Sequence, residues 1–468
     1  MKAKSRKILR VSFYCVLACI VVVALSVGVL WWKMIRDDRI ARVEIQKRLD
    51  AIRAAGQPLT AQDLAKLYPD PLPEHDAVLL LKPALAALVV PEDSTNLPFF
   101  GGDDWPRGTA PIAKPVLDEM QVWMDKNQKA FDSIQMEKLN GAWIGCSFAN
   151  GFTDLVYAPV SEIHSLAKLL CLNAALQAER QHPKEAFQSL KKALAIGNAW
   201  ENDMPIHGLV KLSIERWVCM TLNRVLNRTV IADSDLMSIS DSLTSTNLGT
   251  TKEYMISERC FGLSQANQLQ SLAKQATSHT FSPVRLLIKS YQARIIYRDQ
   301  DLLNYLEWDE RCLAPLDLPL SNAIPTLLNI KRDSANLWKN KHVNFLNTFK
   351  KERISFLSTI IGERQIGFLV REAEIVAQTR VTRTVLAIER WRLAHDGNLP
   401  DSLAELLSDL LSVVPKDLFD EQPLRYKKLT RGYIVYSVGP DFTDDGGKEK
   451  ADDAKDSDHY DITFTVER

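Results

Sequence analysis

The sequence predicts a mainly α-helical protein that ends in a small α+β module. Three observations support this fold class. Between Pro159 and Ala394 apolar residues recur at spacings of three and four, which is the pattern of amphipathic helices. An uncharged apolar run lies near the amino terminus. After Pro415, alternating apolar and polar residues indicate short antiparallel strands.

Composition and charge narrow the class of protein. The 468 residues include 58 Lys+Arg, 58 Asp+Glu and 46% hydrophobic residues, which excludes a disordered chain and a strongly basic nucleic-acid binder. The balanced total conceals two unlike segments. Residues 1–10 contain five basic residues and no acid, whereas residues 441–461 contain nine acids and three lysines. We therefore expect charge-dependent roles at these two segments and no nucleic-acid partner.

The amino-terminal segment predicts a membrane anchor. Residues 11–32 carry no charge, and at about 1.5 Å per residue a helix of this length crosses a hydrocarbon layer of about 30 Å. The alternative is a cleaved signal peptide, but the run is longer than a usual signal-peptide core and ends in Trp31 and Trp32. We expect a cytoplasmic basic tail over 1–10, a transmembrane helix over 11–32, and a single-pass protein of the bacterial inner membrane, N-in, with most of the chain outside the cytoplasm.

The middle of the chain divides into a connecting part and a helical array. Residues 33–158 predict a juxtamembrane helix followed by a Pro/Gly-rich connection. Residues 159–364 predict an array that is either a solenoid or an irregular bundle. Its predicted helices cover residues 161–180, 183–200, 208–226, 234–243, 252–276, 283–307 and 325–350.

The first two helices of the array resemble one tetratricopeptide unit. Small and apolar residues stand at that family's packing positions, with spacings of 12, 4 and 3: Ala174, Ala186, Leu190 and Ala193. The resemblance covers one degenerate unit, and it implies an array of helix hairpins of the kind that usually provides an interaction surface.

Residues 365–468 predict the terminal α+β module. A helix with an apolar face runs to His395 and stops before Gly397, which suits the position after a helix end. Three strands are predicted at Leu424–Lys428, Tyr433–Ser437 and Asp461–Val466, the first two joined as a hairpin. Three strands on a helix are enough to bury one face of a sheet.

This module resembles a known family. The segments Ala387–Pro400, Pro415–Tyr426 and Tyr436–Asp441 are similar to the globular domain of the major (G-type) pseudopilin of type II secretion. The same tail resembles that of large membrane-anchored proteins of planctomycete and verrucomicrobial bacteria. In the pseudopilin family, the loop after the Tyr-Ser-x-Gly segment binds calcium.

The resemblance implies a calcium site with Asp441 and Ser437 as ligands. Ca²⁺ takes six to eight oxygen ligands, and the loop supplies many carboxylates near Gly446 and Gly447. The alternative is a solvated acidic loop without an ion.

No catalytic residue is predicted. None of the eight histidines stands in a paired metal-ligand motif, and the chain contains no phosphate-binding or nucleophile-elbow signature. His164 and Cys171 lie on one predicted helix and are interpreted as structural.

The sequence therefore favours a non-enzymatic bitopic envelope protein whose helical domain and calcium-binding module contact protein partners. The alternatives are an accessory component of a type II secretion or pilus-like system, and an envelope hydrolase without a recognisable motif.

Overall fold

The computed structural model describes residues 2–91, 96–101, 105–152, 159–201, 203–244, 250–278, 299–339, 356–407, 409–449 and 460–467. Within these ranges the chain is mainly helical, with a three-stranded antiparallel sheet near its carboxy-terminal end. The helices are α1 (Lys2–Ala54), α2 (Ala61–Leu67), α3 (Ala77–Ala86), α4 (Lys114–Asp132), α5 (Met136–Leu139), α6 (Val160–Glu179), α7 (Pro183–Asn198), α8 (Pro205–Arg228), α9 (Asp233–Ser242), α10 (Thr250–Ser278), α11 (Asp299–Leu313), α12 (Leu320–Lys339) and α13 (Phe356–Ala394). The strands are β1 (Arg425–Lys428), β2 (Tyr433–Ser437) and β3 (Ile462–Val466).

The prediction of a transmembrane helix over residues 11–32 is wrong. These residues belong to α1, a helix of 53 residues that continues through charged residues on both sides of the apolar run. Among the described helices, none combines the length and the apolarity that crossing a bilayer requires. The predicted location as a single-pass protein of the inner membrane, with a cytoplasmic tail and an N-in orientation, depended on that helix and is therefore wrong as well.

The chain divides into two compact units. The first comprises residues 1–59, 259–312 and 329–363, and the second comprises residues 60–258, 313–328 and 364–468. The prediction of a helix over 283–307 falls partly outside the described residues, as does the end of the one over 325–350. Where those segments are described, α11 and α12 are helical.

The core of the first unit is built on one face of α1. Ala41, Ile45 and Ile52 are buried there at helical spacing, and they pack with buried residues of α10 and α11 such as Ala266 and Leu306. Ion pairs surround this core, because the guanidinium of Arg42 donates to Asp299 at 2.6 Å and Arg48 pairs with Glu307 and Glu310.

One buried ion pair lies inside the first unit. Asp309 on α11 is fully buried, and its Oδ2 lies 3.6 Å from Nη1 of Arg259. Among the described residues, neither carboxylate oxygen of Asp309 has a hydrogen-bond partner. The other end of the Arg259 guanidinium donates to the Gln57 side chain at 2.9 Å.

The core of the second unit is centred on α6, α7 and α8. The predicted hairpin of helices over 161–180 and 183–200 is confirmed by α6 and α7, which pack against each other and against α8. The helices predicted over 208–226 and 234–243 are confirmed by α8 and α9. Because α6 is buried on most of its surface, it forms the centre of this unit.

The predicted three-stranded sheet is confirmed, with the order β1-β2-β3. Tyr433 and Val435 of β2 lie opposite Val466 and Phe464 of β3. These four side chains are buried in the same core as apolar residues of α13 and of the helical array. Gly432 precedes β2 at a φ of +85°, and a Cβ there would overlap the carbonyl oxygen of Val466. Only glycine fits at this turn.

An arginine–carboxylate network holds the sheet to the segment before it. Asp417 is buried and accepts hydrogen bonds from Ser437 Oγ at 2.8 Å and from the Val438 N–H at 2.8 Å. It also accepts from Arg425 Nη1 at 2.8 Å and from the Phe419 N–H at 3.0 Å. All four donors reach one carboxylate, so its charge is compensated inside the fold.

Candidate functional site

A groove within the second unit is the first candidate site. It has a volume of about 640 Å³, and we call it the α8–β3 groove. Its walls include residues 105–108, Arg216, Met220 and Asn223 of α8, Arg371, Glu374 and Gln378 of α13, and residues 462–465 of β3. This volume lies within the range of about 300 to 1,000 Å³ that is usual for ligand sites.

Arg224 on α8 fixes the loop that forms one wall of the groove. Its guanidinium pairs with Glu179 of α6 and donates to the carbonyl oxygens of Pro106, Gly108 and Ala110. Burial is the largest influence on this arginine and lowers its pKa from the usual value. Because a buried guanidinium is costly unless it is paired, these contacts hold the loop firmly against α8.

Trp105 begins the loop of residues 105–108 that lines the groove. Its indole ring packs edge-on against Phe99, with ring centroids 5.4 Å apart. Its Nε1–H is buried and has no hydrogen-bond partner among the described residues. A buried tryptophan N–H is normally paired, so this donor is an exception within the loop that forms the groove wall.

The outer edge of β3 forms the opposite wall. Near one end, Asn227 of α8 donates to the carbonyl oxygen of Thr465 at 2.9 Å and accepts from the Glu467 N–H at 2.7 Å. Before the strand, the Asp461 N–H donates to the carbonyl oxygen of Lys448 at 2.9 Å. Because alternate residues of a strand direct their backbone groups to the same side, Thr463 directs its N–H and C=O outward between these two contacts.

A buried cluster of Cys146, Asp203 and His207 is the second candidate site. Cys146 lies on an extended segment that reaches α8 because Ile144 pairs with the backbone on both sides of Trp200. Asp203 precedes α8 and His207 lies in its first turn, four residues later. The three side chains are exposed by 3% or less.

The geometry of the cluster orients the histidine. Asp203 Oδ1 lies 2.6 Å from His207 Nδ1, while Oδ2 accepts the Cys146 backbone N–H. His207 Nε2 then faces Cys146 Sγ at 3.7 Å. A Cβ at position 145 would lie 3.3 Å from Asp203 Oδ2, so Gly145 permits this close approach of the backbone.

The surroundings of Cys146 determine the protonation state of its thiol. Burial, and to a lesser degree the Asp203 carboxylate, raise the pKa of Cys146 to about 12. At neutral pH the free thiol is therefore protonated and poorly nucleophilic.

The Trp200 ring, 4.9 Å from the His207 ring, covers the imidazole on one side. Three metal-capable side chains thus converge, with their ligand atoms within 4.8 Å of one another.

The structure places the predicted calcium ligands in ordinary packing and turn contacts. Ser437 is fully buried on β2, where its hydroxyl donates to Asp417 and accepts the Gly439 N–H at 3.3 Å. Asp441 is exposed, and its Oδ1 accepts the Thr443 N–H at 3.0 Å. These contacts leave calcium binding untested, and it stays a prediction.

The described start of the acidic loop is organised by the buried Asp461. Its two carboxylate oxygens accept the N–H groups of Asp445, at 3.3 Å, and Gly447, at 2.6 Å. Burial raises the pKa of Asp461, and the two backbone donors oppose that effect. Residues 450–459 of the loop lie outside the described residues.

The cysteine and histidine considered in the sequence lie elsewhere in the second unit. Cys171 is fully buried on α6, and burial raises its pKa to about 12. The His164 ring lies 4.8 Å from Trp217, and burial lowers its pKa to about 4. A catalytic thiol needs an imidazole within hydrogen-bond reach, and the structure provides that arrangement at Cys146 and His207 instead.

Sequence analysis missed both candidate sites. The separation of four residues between Asp203 and His207 at a helix start is a local signal, but Cys146 stands 57 residues before Asp203. The α8–β3 groove has no local signal, because its walls come from four distant parts of the chain.

Comparison with protein-family models, with curated proteins and with solved structures finds no match for this chain. The resemblance of the terminal module to a pseudopilin therefore stays a prediction.

Proposed function

We propose that the protein is a non-enzymatic binding protein that holds an extended peptide segment of a partner protein in the α8–β3 groove. The observation that carries this proposal is the outward-facing backbone of Thr463 on β3. A sheet edge that opens into a groove favours addition of an extended strand, because main-chain hydrogen bonds then supply affinity. Asn227 contacts the backbone of Thr465, and Lys448 contacts that of Asp461. The open stretch of β3 therefore lies between these two residues, which limits the bound segment to a short peptide.

The opposite wall supports an extended peptide as the occupant. Trp105 contributes an aromatic ring to the lining of the groove. Arg371 and Glu374 of α13, paired at 3.1 Å, place both signs of charge on the wall. A polar peptide backbone suits such a surface better than an apolar ligand does.

The helical part supports an interaction role as well. The four residues at tetratricopeptide packing positions, Ala174, Ala186, Leu190 and Ala193, are all fully buried between neighbouring helices. This burial supports a helical-repeat-like organisation of α6, α7 and α8, in which α8 contributes one wall of the groove. The proposal therefore combines a stacked-helix scaffold with an open sheet edge.

The experiment uses random peptides displayed on phage and selected on the full chain, followed by titration of a labelled selected peptide. Thr463→Pro removes the outward N–H without affecting the pairing with β2, so we expect binding to weaken about tenfold. Thr463→Val is the matched control, and it should bind like the parent because only the side chain changes.

Melting temperatures of all variants establish that each remains folded. Selected peptides that bind Thr463→Pro and the parent protein equally would contradict the strand-pairing proposal. If Thr463→Pro does not fold, Gln378→Trp provides the second test, because a large ring in the groove should displace the peptide while leaving the sheet edge intact.

A further inference from the structure

The buried cluster of Cys146, Asp203 and His207 brings three metal-capable side chains together. Cys146 Sγ and His207 Nε2 face each other at 3.7 Å. Two ligands of a tetrahedral zinc ion, at bond lengths of about 2.3 Å for sulfur and 2.0 Å for nitrogen, lie about 3.6 Å apart. The observed separation therefore matches two positions on one ion.

Asp203 stands where a metal-bound histidine normally has its supporting carboxylate. Its Oδ1 accepts from Nδ1 of His207 at 2.6 Å, which fixes the tautomer and directs the Nε2 lone pair toward Cys146. Its Oδ2 accepts the backbone N–H of Cys146 and so holds the second ligand in place. One carboxylate thus orients both donors.

A nucleophilic thiol is the competing interpretation, because a thiol, an imidazole and a carboxylate also form a catalytic triad. Such a thiol has to meet a substrate. Cys146, Asp203 and His207 are exposed by 3%, 0% and 0%, and the walls of the α8–β3 groove do not include them. A buried cluster of soft and borderline donors suits a small ion better than a substrate.

We propose that Cys146 Sγ and His207 Nε2 bind a divalent ion of the zinc type, with Asp203 as the positioning residue. The thiol proton is released when the ion binds, since the ligand is the thiolate. The ion ties the segment around Cys146 to the start of α8, so it stabilises the second unit.

The test uses the full chain, freed of metal with a chelator and titrated with Co²⁺ and then with Zn²⁺. We expect one equivalent of Co²⁺ to produce a thiolate-to-cobalt absorption band that Zn²⁺ removes. Cys146→Ser should abolish this band. Cys219→Ser is the matched control for a buried cysteine, and Cys19→Ser for an exposed one; both should keep the band.

Asp203→Asn tests the positioning role. It should weaken metal affinity by about 10 to 100-fold and shift the cobalt spectrum, because the imidazole loses its carboxylate partner. A purely structural role would lower stability without changing the affinity or the spectrum of the folded protein.

If Cys146→Ser does not fold, alkylation of the parent protein provides the decisive measurement. Zn²⁺ should slow iodoacetamide modification of Cys146 in mild denaturant and leave the rate at Cys219 unchanged. Absence of a thiolate band in the folded parent protein, or rapid alkylation of native Cys146 that Zn²⁺ does not slow, would overturn the proposal. The latter result would instead support a nucleophilic thiol.

Discussion

Two buried arginine–aspartate pairs, one in each unit, accommodate the same charges in different ways. Asp417 in the second unit accepts four hydrogen bonds, including one from Arg425 at 2.8 Å. Asp309 in the first unit lies 3.6 Å from Arg259 and accepts none among the described residues. Both carboxylates are almost fully excluded from solvent.

This difference shows that the hydrogen-bond donors around a buried carboxylate determine whether its ion pair stabilises the fold or makes stability depend on pH. A carboxylate with four donors has recovered most of the hydration that it lost on folding. A carboxylate with only a distant guanidinium has not, and burial raises the pKa of Asp309 to about 7 despite the opposing charge of Arg259. We therefore expect the Asp417–Arg425 pair to stabilise the fold and the Asp309–Arg259 pair to make stability depend on pH.

The largest effect is expected from Asp417→Ala. It leaves Arg425, Ser437 and the Val438 N–H without their shared acceptor, so the free energy of unfolding should fall by about 3 to 5 kcal/mol. Urea unfolding of the full chain measures this change. Asp420→Ala is the control, because Asp420 pairs with the same arginine but is partly exposed, and it should cost less than about 1 kcal/mol. Equal losses in the two variants would show that the buried network at Asp417 contributes no more to stability than a partly exposed ion pair.

An intermediate effect is expected from pH at Asp309. Its pKa rises from 3.8 to about 7 on folding, so protonation favours the folded state. This contribution is fully present below about pH 4 and is lost as the pH rises through about 7, with a total of a few kcal/mol. Unfolding free energies at pH 5, 6, 7 and 8 measure it against Asp309→Asn, which should lack that part of the slope. Glu307→Gln, at a partly exposed carboxyl on the same helix, should keep the slope; an unchanged slope in Asp309→Asn would show that Asp309 ionises normally.

The smallest effect is expected from calcium. If the acidic loop binds the ion through Asp441, millimolar calcium should raise the melting temperature of the full chain by about 2 to 4 °C, corresponding to about 1 kcal/mol. Asp441→Asn should remove the rise, and Asp396→Asn, at another exposed aspartate, should keep it. Ser437→Ala does not discriminate, because the loss of its bond to Asp417 lowers stability with or without calcium. Identical melting temperatures in calcium and in EDTA would remove Asp441 as a ligand.

The parts of the fold that local patterns determine were predictable. Helices α6 to α9 follow from apolar spacing, and the sheet follows from alternation in β1, β2 and β3. The inference of a membrane span at residues 11–32 failed, since no described helix is long and apolar enough to cross a bilayer. The apolar run is one section of the longer α1.

The sites were not predictable, because they depend on distant contacts. Asp417 lies in a segment that carried the pseudopilin resemblance, but nothing in that segment indicates that Ser437 and Val438 will donate to it. Cys146 meets His207 only because Ile144 pairs beside Trp200. The open edge at Thr463 is a property of the assembled sheet, and no residue type encodes it.

The contact between Asn227 and β3 has a consequence for how the second unit folds. Asn227 and Glu467, which share a hydrogen bond, are separated by 240 residues along the chain. Contacts of such long range form slowly, because the entropy of closing the intervening chain is lost before the contact contributes. During synthesis, the face of α8 that β3 covers is made long before its partner. A chain stalled before β3 would therefore present an unfinished surface to chaperones and to other copies of itself.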